Sequence, residues 1–340
     1  MHRAHRLFHI ILLLIALLLP FSPVANAQIY SRAELEGEAV RLRNAVFRLY
    51  SIGIKPSLLE DEIRAAGDFK FSFPLPEPND PLMDFAATTD GRAMIMPLMS
   101  LKAVEDLTTA YAWLYHNNYS LSTIDLYFTM LRYRDPADFP GGKFPRILDA
   151  LGVPPDAYKT DKRVAELSLS LRNEVYAFII AHELGHIRYA HKPLDQISTQ
   201  QSQADESQAD AFALDIFLRT KTPPLGPVLF FQAQVYNLLH PVEFGRTEQE
   251  RASALLQMTH PLTLERIEKM NEFIEGPYTR ARPEEAPLWA DIASKFRVLI
   301  PVLEDEDLAA CLIKVAREAD PDSLKPRKGH DTELLMQRCL

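Results

Sequence analysis

The chain has 340 residues, with 37 Lys+Arg against 46 Asp+Glu and a net charge of −9. Acidity on this scale repels nucleic acid and anionic membrane surface, which argues against both as partners. The most apolar stretch of the body of the chain, Leu225 to Val242, is interrupted by Gln232, Gln234, Asn237 and His240, so it reads as a buried helix and not as a membrane span.

At the start, Arg3 and Arg6 precede an apolar run from Leu7 to Leu19, then Pro20 and Ala25-Asn26-Ala27. A basic n-region, a short apolar h-region and a small-x-small site are the marks of a secretory signal peptide over 1–27, with an uncleaved anchor as the alternative. Cleavage leaves 35 Lys+Arg against 46 Asp+Glu, a net of −11. It also predicts a secreted or periplasmic location.

Residues 31–50 carry Leu35, Val40, Leu42, Val46, Phe47 and Tyr50 at helical spacing. A proline-rich connector covers 74–81. Asp90-Gly91 between the short apolar runs 85–89 and 92–97 predicts a β-hairpin, the one clear β-signal in the chain. Helices are expected over 100–117 and 120–134, each opening at a serine suited to capping. Residues 135–160 are rich in proline and glycine and read as loop. A long helix follows over 162–192, then helices over 202–220, 225–239, 261–275, 286–299 and 305–318. The fold expected is mainly α (α+β), helical with a small β-hairpin or sheet. The segments are 28–84, 85–280 and 281–340. Cys311 and Cys339 are the only cysteines. They are either a single bond pinning the tail or two unrelated thiols, because sequence does not set their separation.

The chemistry centres on His182-Glu183-Leu184-Gly185-His186 inside the long helix. Residues four apart lie about 40° apart around a helix, so both imidazoles project from one face and can take two corners of a tetrahedral zinc site. Glu183, about 100° round from His182, can lean over the metal and accept a proton from the attacking water without binding the ion. The plainer alternative is a helix with two solvent-facing histidines.

A third ligand decides the class. Metzincins place a histidine ten residues after the first, where this chain has Lys192. His191 comes close, but nine helical residues turn through about 900°, which sets it opposite His182. The gluzincin arrangement draws a glutamate from a second helix, and Glu206 and Asp210 share one face of the helix that follows. One can bind the ion while the other hydrogen-bonds a ligand imidazole. A solvated acidic face is the alternative.

His182-Glu183-Leu184-Gly185-His186, then Glu206-x-x-Ala209-Asp210, then His260-Pro261 with Arg266-Ile267 resemble the three motifs of the gluzincin group of the CAAX prenyl proteases, HtpX, Oma and BepA, over roughly 165–275. The resemblance implies a zincin-like helical metallopeptidase domain over 85–280, with one Zn2+ per chain on His182, His186 and Glu206. It also implies Glu183 as base, an organising role for Asp210 and a polypeptide substrate. His260 matches the downstream histidine of the group. It could donate to the oxyanion, occupy the fourth zinc position in a latent enzyme, or simply cap the helix that Pro261 starts. Phe139-Pro140-Gly141-Gly142 echoes a strand segment of the group, but Phe144-Pro145 spoils a strand there. The hairpin at 85–97 is then the candidate substrate-facing edge. The expected function is a secreted or periplasmic zinc endopeptidase, possible work being envelope protein quality control. The alternative is a zinc-binding chaperone-like homologue or a latent peptidase.

Overall fold

A computed structural model describes residues 29–77, 80–88, 92–193, 196–237, 260, 262–328 and 339. The expected signal peptide, the Asp90-Gly91 turn, Pro261 and the end of the Leu225–Val242 stretch lie outside the described residues. The architecture is mainly α with one small sheet, as the periodicities predict. Buried apolar side chains form one cluster that runs from Ile29 to Leu324. No helix among the described residues is long and apolar enough to cross a membrane.

The long helix spans Lys162–Tyr189. Asp161 opens it by accepting the Arg163 N–H at 2.9 Å, which satisfies one of the orphan donors of the first turn. From Val175 to Gly185 every residue is buried, because helices Leu98–His116, Thr199–Thr220 and Leu225–Asn237 enclose its middle. It stops short of the expected Lys192: Ala190 takes a left-handed conformation (φ 52°) and its N–H returns to the last turn.

Thr199–Thr220 begins at Ser198, whose hydroxyl accepts the Gln201 N–H at 3.1 Å. It ends at a left-handed Lys221 ahead of Pro223-Pro224. The two helices approach closely where Gly185 meets Ala209. A Cβ on Gly185 would lie 2.9 Å from the Ala209 Cα and 3.2 Å from its Cβ. Glu62, on a short helix Glu60–Ala66 that the periodicity does not reveal, clamps both: it pairs with Arg188 at the end of the first and with Arg219 of the second at 2.8 and 3.0 Å.

The hairpin is present, with β2 (Ala86–Thr88) antiparallel to β3 (Ala93–Ile95), but it is not the whole sheet. β1 (Lys70–Ser72) pairs parallel with the other side of β3, giving the order β1-β3-β2. β3 is therefore internal, and β2 keeps one edge unpaired among the described residues.

Two capping expectations fail. Leu98–His116 starts after Pro97, and the Ser100 hydroxyl donates to the Asp84 carbonyl at 3.1 Å instead. Ser122–Tyr133 starts two residues past Ser120, whose oxygen accepts the Ser122 N–H at 3.3 Å. Asp305 does cap Glu306–Glu318, accepting from Asp307 and Leu308. Of the two readings of the cysteines, the bonded one holds: Cys311 and Cys339 form a disulfide across a Cα–Cα distance of 5.8 Å.

Candidate metal centre

His182 and His186 project from one face of the long helix, with their Nε2 atoms 3.1 Å apart. Glu206, from the neighbouring helix Thr199–Thr220, reaches between them: its oxygens lie 3.4 Å from His182 Nε2 and 3.2 Å from His186 Nε2. His260 closes the group, its Nδ1 3.0 and 3.1 Å from the Glu206 oxygens and 3.3 Å from His182 Nε2. Four potential ligand atoms thus lie within 4.8 Å of one another. Donors about 2.0–2.1 Å from a tetrahedral ion stand about 3.3 Å from each other. The observed separations bracket that edge.

Proton positions decide what these contacts mean. Asp210 Oδ1 sits 2.8 Å from His182 Nδ1, so that nitrogen donates, and in the neutral ring Nε2 keeps a lone pair facing the Glu206 carboxylate and His186 Nε2. With the ring in that state, the group can hold a cation.

Arg266 balances the carboxylates. Its Nε and Nη2 donate to Asp210 at 2.6 and 2.9 Å, and its Nη1 lies 2.9 Å from a Glu206 oxygen. Burial pushes both acids toward neutrality, but the cationic neighbours win. His260, Arg266 and His182 hold Glu206 well below the ordinary carboxylate range, and Arg266 with His182 lowers Asp210. Burial likewise works against charge on the histidines. For His182 the bonds to Asp210 and Glu206 outweigh it and the pKa rises, whereas for His186 burial prevails and the pKa falls. For His260 the two carboxylates Glu206 and Glu183 overcome burial and push the pKa up to about 10.

Glu183 is 1% exposed, and its Oε2 has no hydrogen-bond partner among the described residues. Its Oε1 lies 3.4 Å from His260 Nε2. The His260 Nε2–H donates to the Phe85 carbonyl at 2.7 Å, just before β2. His260 does not cap a helix: the nearest one, Leu264–Phe273, has Thr263 as its N-cap.

One expectation about placement is overturned. His191 is not opposite His182. The helix has already ended, and the left-handed Ala190 folds the chain back so that His191 Nδ1 lies 2.9 Å from His186 Nδ1. Ala190 is neither glycine nor asparagine, so nothing local announces the reversal. The contact between His260 and the Phe85 carbonyl was not legible either, the two being 175 positions apart.

Fold and site together define a mainly helical protein with a buried three-histidine, one-glutamate group able to hold a metal ion. Residues 153–282 match the family model described as Peptidase U49. This stretch contains His182, Glu183, His186, Glu206, Asp210, His260 and Arg266, and the match supports a peptidase. No curated protein and no solved structure matches the chain.

Proposed function

We propose that the chain is a gluzincin-type zinc endopeptidase that holds one ion on His182, His186 and Glu206 and uses Glu183 as general base. The observation that carries the reading is the convergence of two imidazole nitrogens and a carboxylate at 3.1 to 3.4 Å. Two nitrogens and an oxygen suit zinc, and three protein ligands leave one position open, as catalytic zinc sites do. Bound there, zinc supplies Lewis acidity at the scissile carbonyl and acidifies water.

The side chains of the protein do the remaining work. Asp210 fixes the His182 tautomer, and Arg266 neutralises Asp210 so that it stays ionised in a buried place. Glu183 takes the proton of the attacking water on its unpartnered Oε2 and passes it to the leaving amine. The unpaired edge of β2 offers an extended polypeptide a strand to join, beside the Phe85 carbonyl that His260 engages. To steady an oxyanion, His260 exchanges Phe85 for the substrate as partner of its Nε2–H. The likeness of the three motifs to the CAAX prenyl protease, HtpX, Oma and BepA group supports the gluzincin class. The basic start, short apolar run and small-x-small site support an extracytoplasmic location, where envelope polypeptides are the substrates at hand. The Cys311–Cys339 bond accords with an oxidising compartment.

A second reading rests on His260 Nδ1, which stands at ligand distance from the same centre. Four protein ligands would close the site, and the enzyme would be latent until His260 leaves. The test is metal content and proteolysis of the purified protein. Wild type should carry one zinc and degrade an unfolded protein, Glu183→Gln should keep the zinc and lose the activity, and His186→Ala and Glu206→Gln should lose both. Wild type without zinc, or an active Glu183→Gln, would refute the assignment. Activity that rises in His260→Ala selects the latent form.

A further inference from the structure

The two ligand imidazoles are held from behind in different ways. His182 Nδ1 meets a carboxylate, Asp210, which is itself paired with Arg266. His186 Nδ1 meets an imidazole: His191 Nδ1 lies 2.9 Å away, and His191 is 8% exposed. One of these two nitrogens carries the hydrogen. If His186 Nε2 is to face the metal with a lone pair, His186 Nδ1 is the donor and His191 Nδ1 the acceptor.

That assignment puts the His191 hydrogen on Nε2, and the structure supplies an acceptor there. Gln208 Oε1 is 2.9 Å from His191 Nε2, with Asp205 Oδ1 at 3.6 Å behind it. Gln208 comes from the same helix as Glu206, two residues further on. The ring of Tyr189 stacks on His191 at 5.7 Å between centroids, 22° from parallel, which limits rotation of the imidazole.

We propose that His191 is a positioning residue for the metal ligand His186, fixing its tautomer and ring plane through a His186–His191–Gln208 relay. The proposal rests on the metal-centre reading. Its physical content is that an imidazole acceptor holds His186 from behind, as the Asp210 carboxylate holds His182. Loss of such a partner typically weakens metal binding about 10- to 100-fold.

The experiment measures zinc affinity of the full chain by competition with a chromogenic chelator, together with the melting temperature of the metal-free protein. Asparagine can present its side-chain oxygen about where an imidazole presents Nδ1. His191→Ala should therefore weaken zinc binding 10- to 100-fold, and His191→Asn should restore it to within a few-fold of wild type. Metal-free melting temperatures should agree across the three proteins. Wild-type affinity in His191→Ala would overturn the proposal. So would a parallel fall in the metal-free melting temperature of both variants, which would make His191 a packing residue. His186→Ala is the reference: if wild type binds zinc no better than His186→Ala, the metal-centre reading itself fails. If the two differ while His191→Ala equals wild type, only the relay fails.

Discussion

Gly185 lies between His182 and His186 and is the point at which the geometry is most easily disturbed. A methyl group there would meet the Ala209 Cα at 2.9 Å, the Ala209 Cβ at 3.2 Å and the Ala209 carbonyl oxygen at 3.3 Å. Two of these atoms are backbone and cannot swing aside. Comfortable carbon contacts are about 3.5–4.0 Å, so the two helices have to separate by something near 0.6–1 Å. Overpacking of this kind costs about 1–3 kcal/mol. The same displacement carries Glu206 away from His182 and His186, stretching contacts that now measure 3.4 and 3.2 Å past the edge of a tetrahedral site. Gly185→Ala should thus lower the melting temperature of the metal-free protein by roughly 2–5 °C. It should also weaken zinc binding at least tenfold, read by chelator competition. Unchanged affinity together with unchanged melting temperature would show that the Gly185–Ala209 contact does not set the spacing of the site.

Arg266→Leu leaves Glu206 and Asp210 buried without their guanidinium. Removing one member of a buried ionic set typically costs about 3–5 kcal/mol, so chemical denaturation should show a loss of that order, and a loss under 1 kcal/mol would contradict the account. Glu174, 5% exposed and hydrogen-bonded to the Gly226 N–H at 2.8 Å and to Ser170 at 2.9 Å, has its pKa pushed up to about 7 by burial. An acid whose folded pKa lies above its unfolded value binds its proton more tightly when folded. Its neutral form favours the fold below about pH 4.5, and that advantage fades as pH rises toward 7. Glu174→Gln should match wild type near pH 4 and exceed it by about 2–3 kcal/mol at pH 8; parallel stability curves for the two proteins would refute this.

Local signals carried much of the fold. The apolar run through Val175, Phe178, Ile179 and Ile180 made the long helix legible, Asp90-Gly91 made the hairpin so, and Pro223-Pro224 ended the helix of Glu206. Spacing alone brought His182 to His186 and Glu206 to Asp210. What escaped was non-local. β1 is three residues long and exists because β3 lies beside it, and its partners are 23 positions away in sequence (Phe71 opposite Met94). Helix Glu60–Ala66 has Leu59 at its cap, a residue with no capping oxygen, and Glu62 supplies the acceptor from inside the helix. His191 was misplaced because a left-handed alanine has no signature in the chain. The acids that Arg266 pairs with were not legible, since a guanidinium 56 positions away does not announce its target.

Arg266 also bears on the readiness of the site. Its guanidinium takes both oxygens of Asp210 and lies 2.9 Å from one of Glu206, so a permanent cation orders the two carboxylates from within the fold. Buried without it, each acid would drift toward its protonated, uncharged form. One residue thus keeps the pocket both ionised and preorganised.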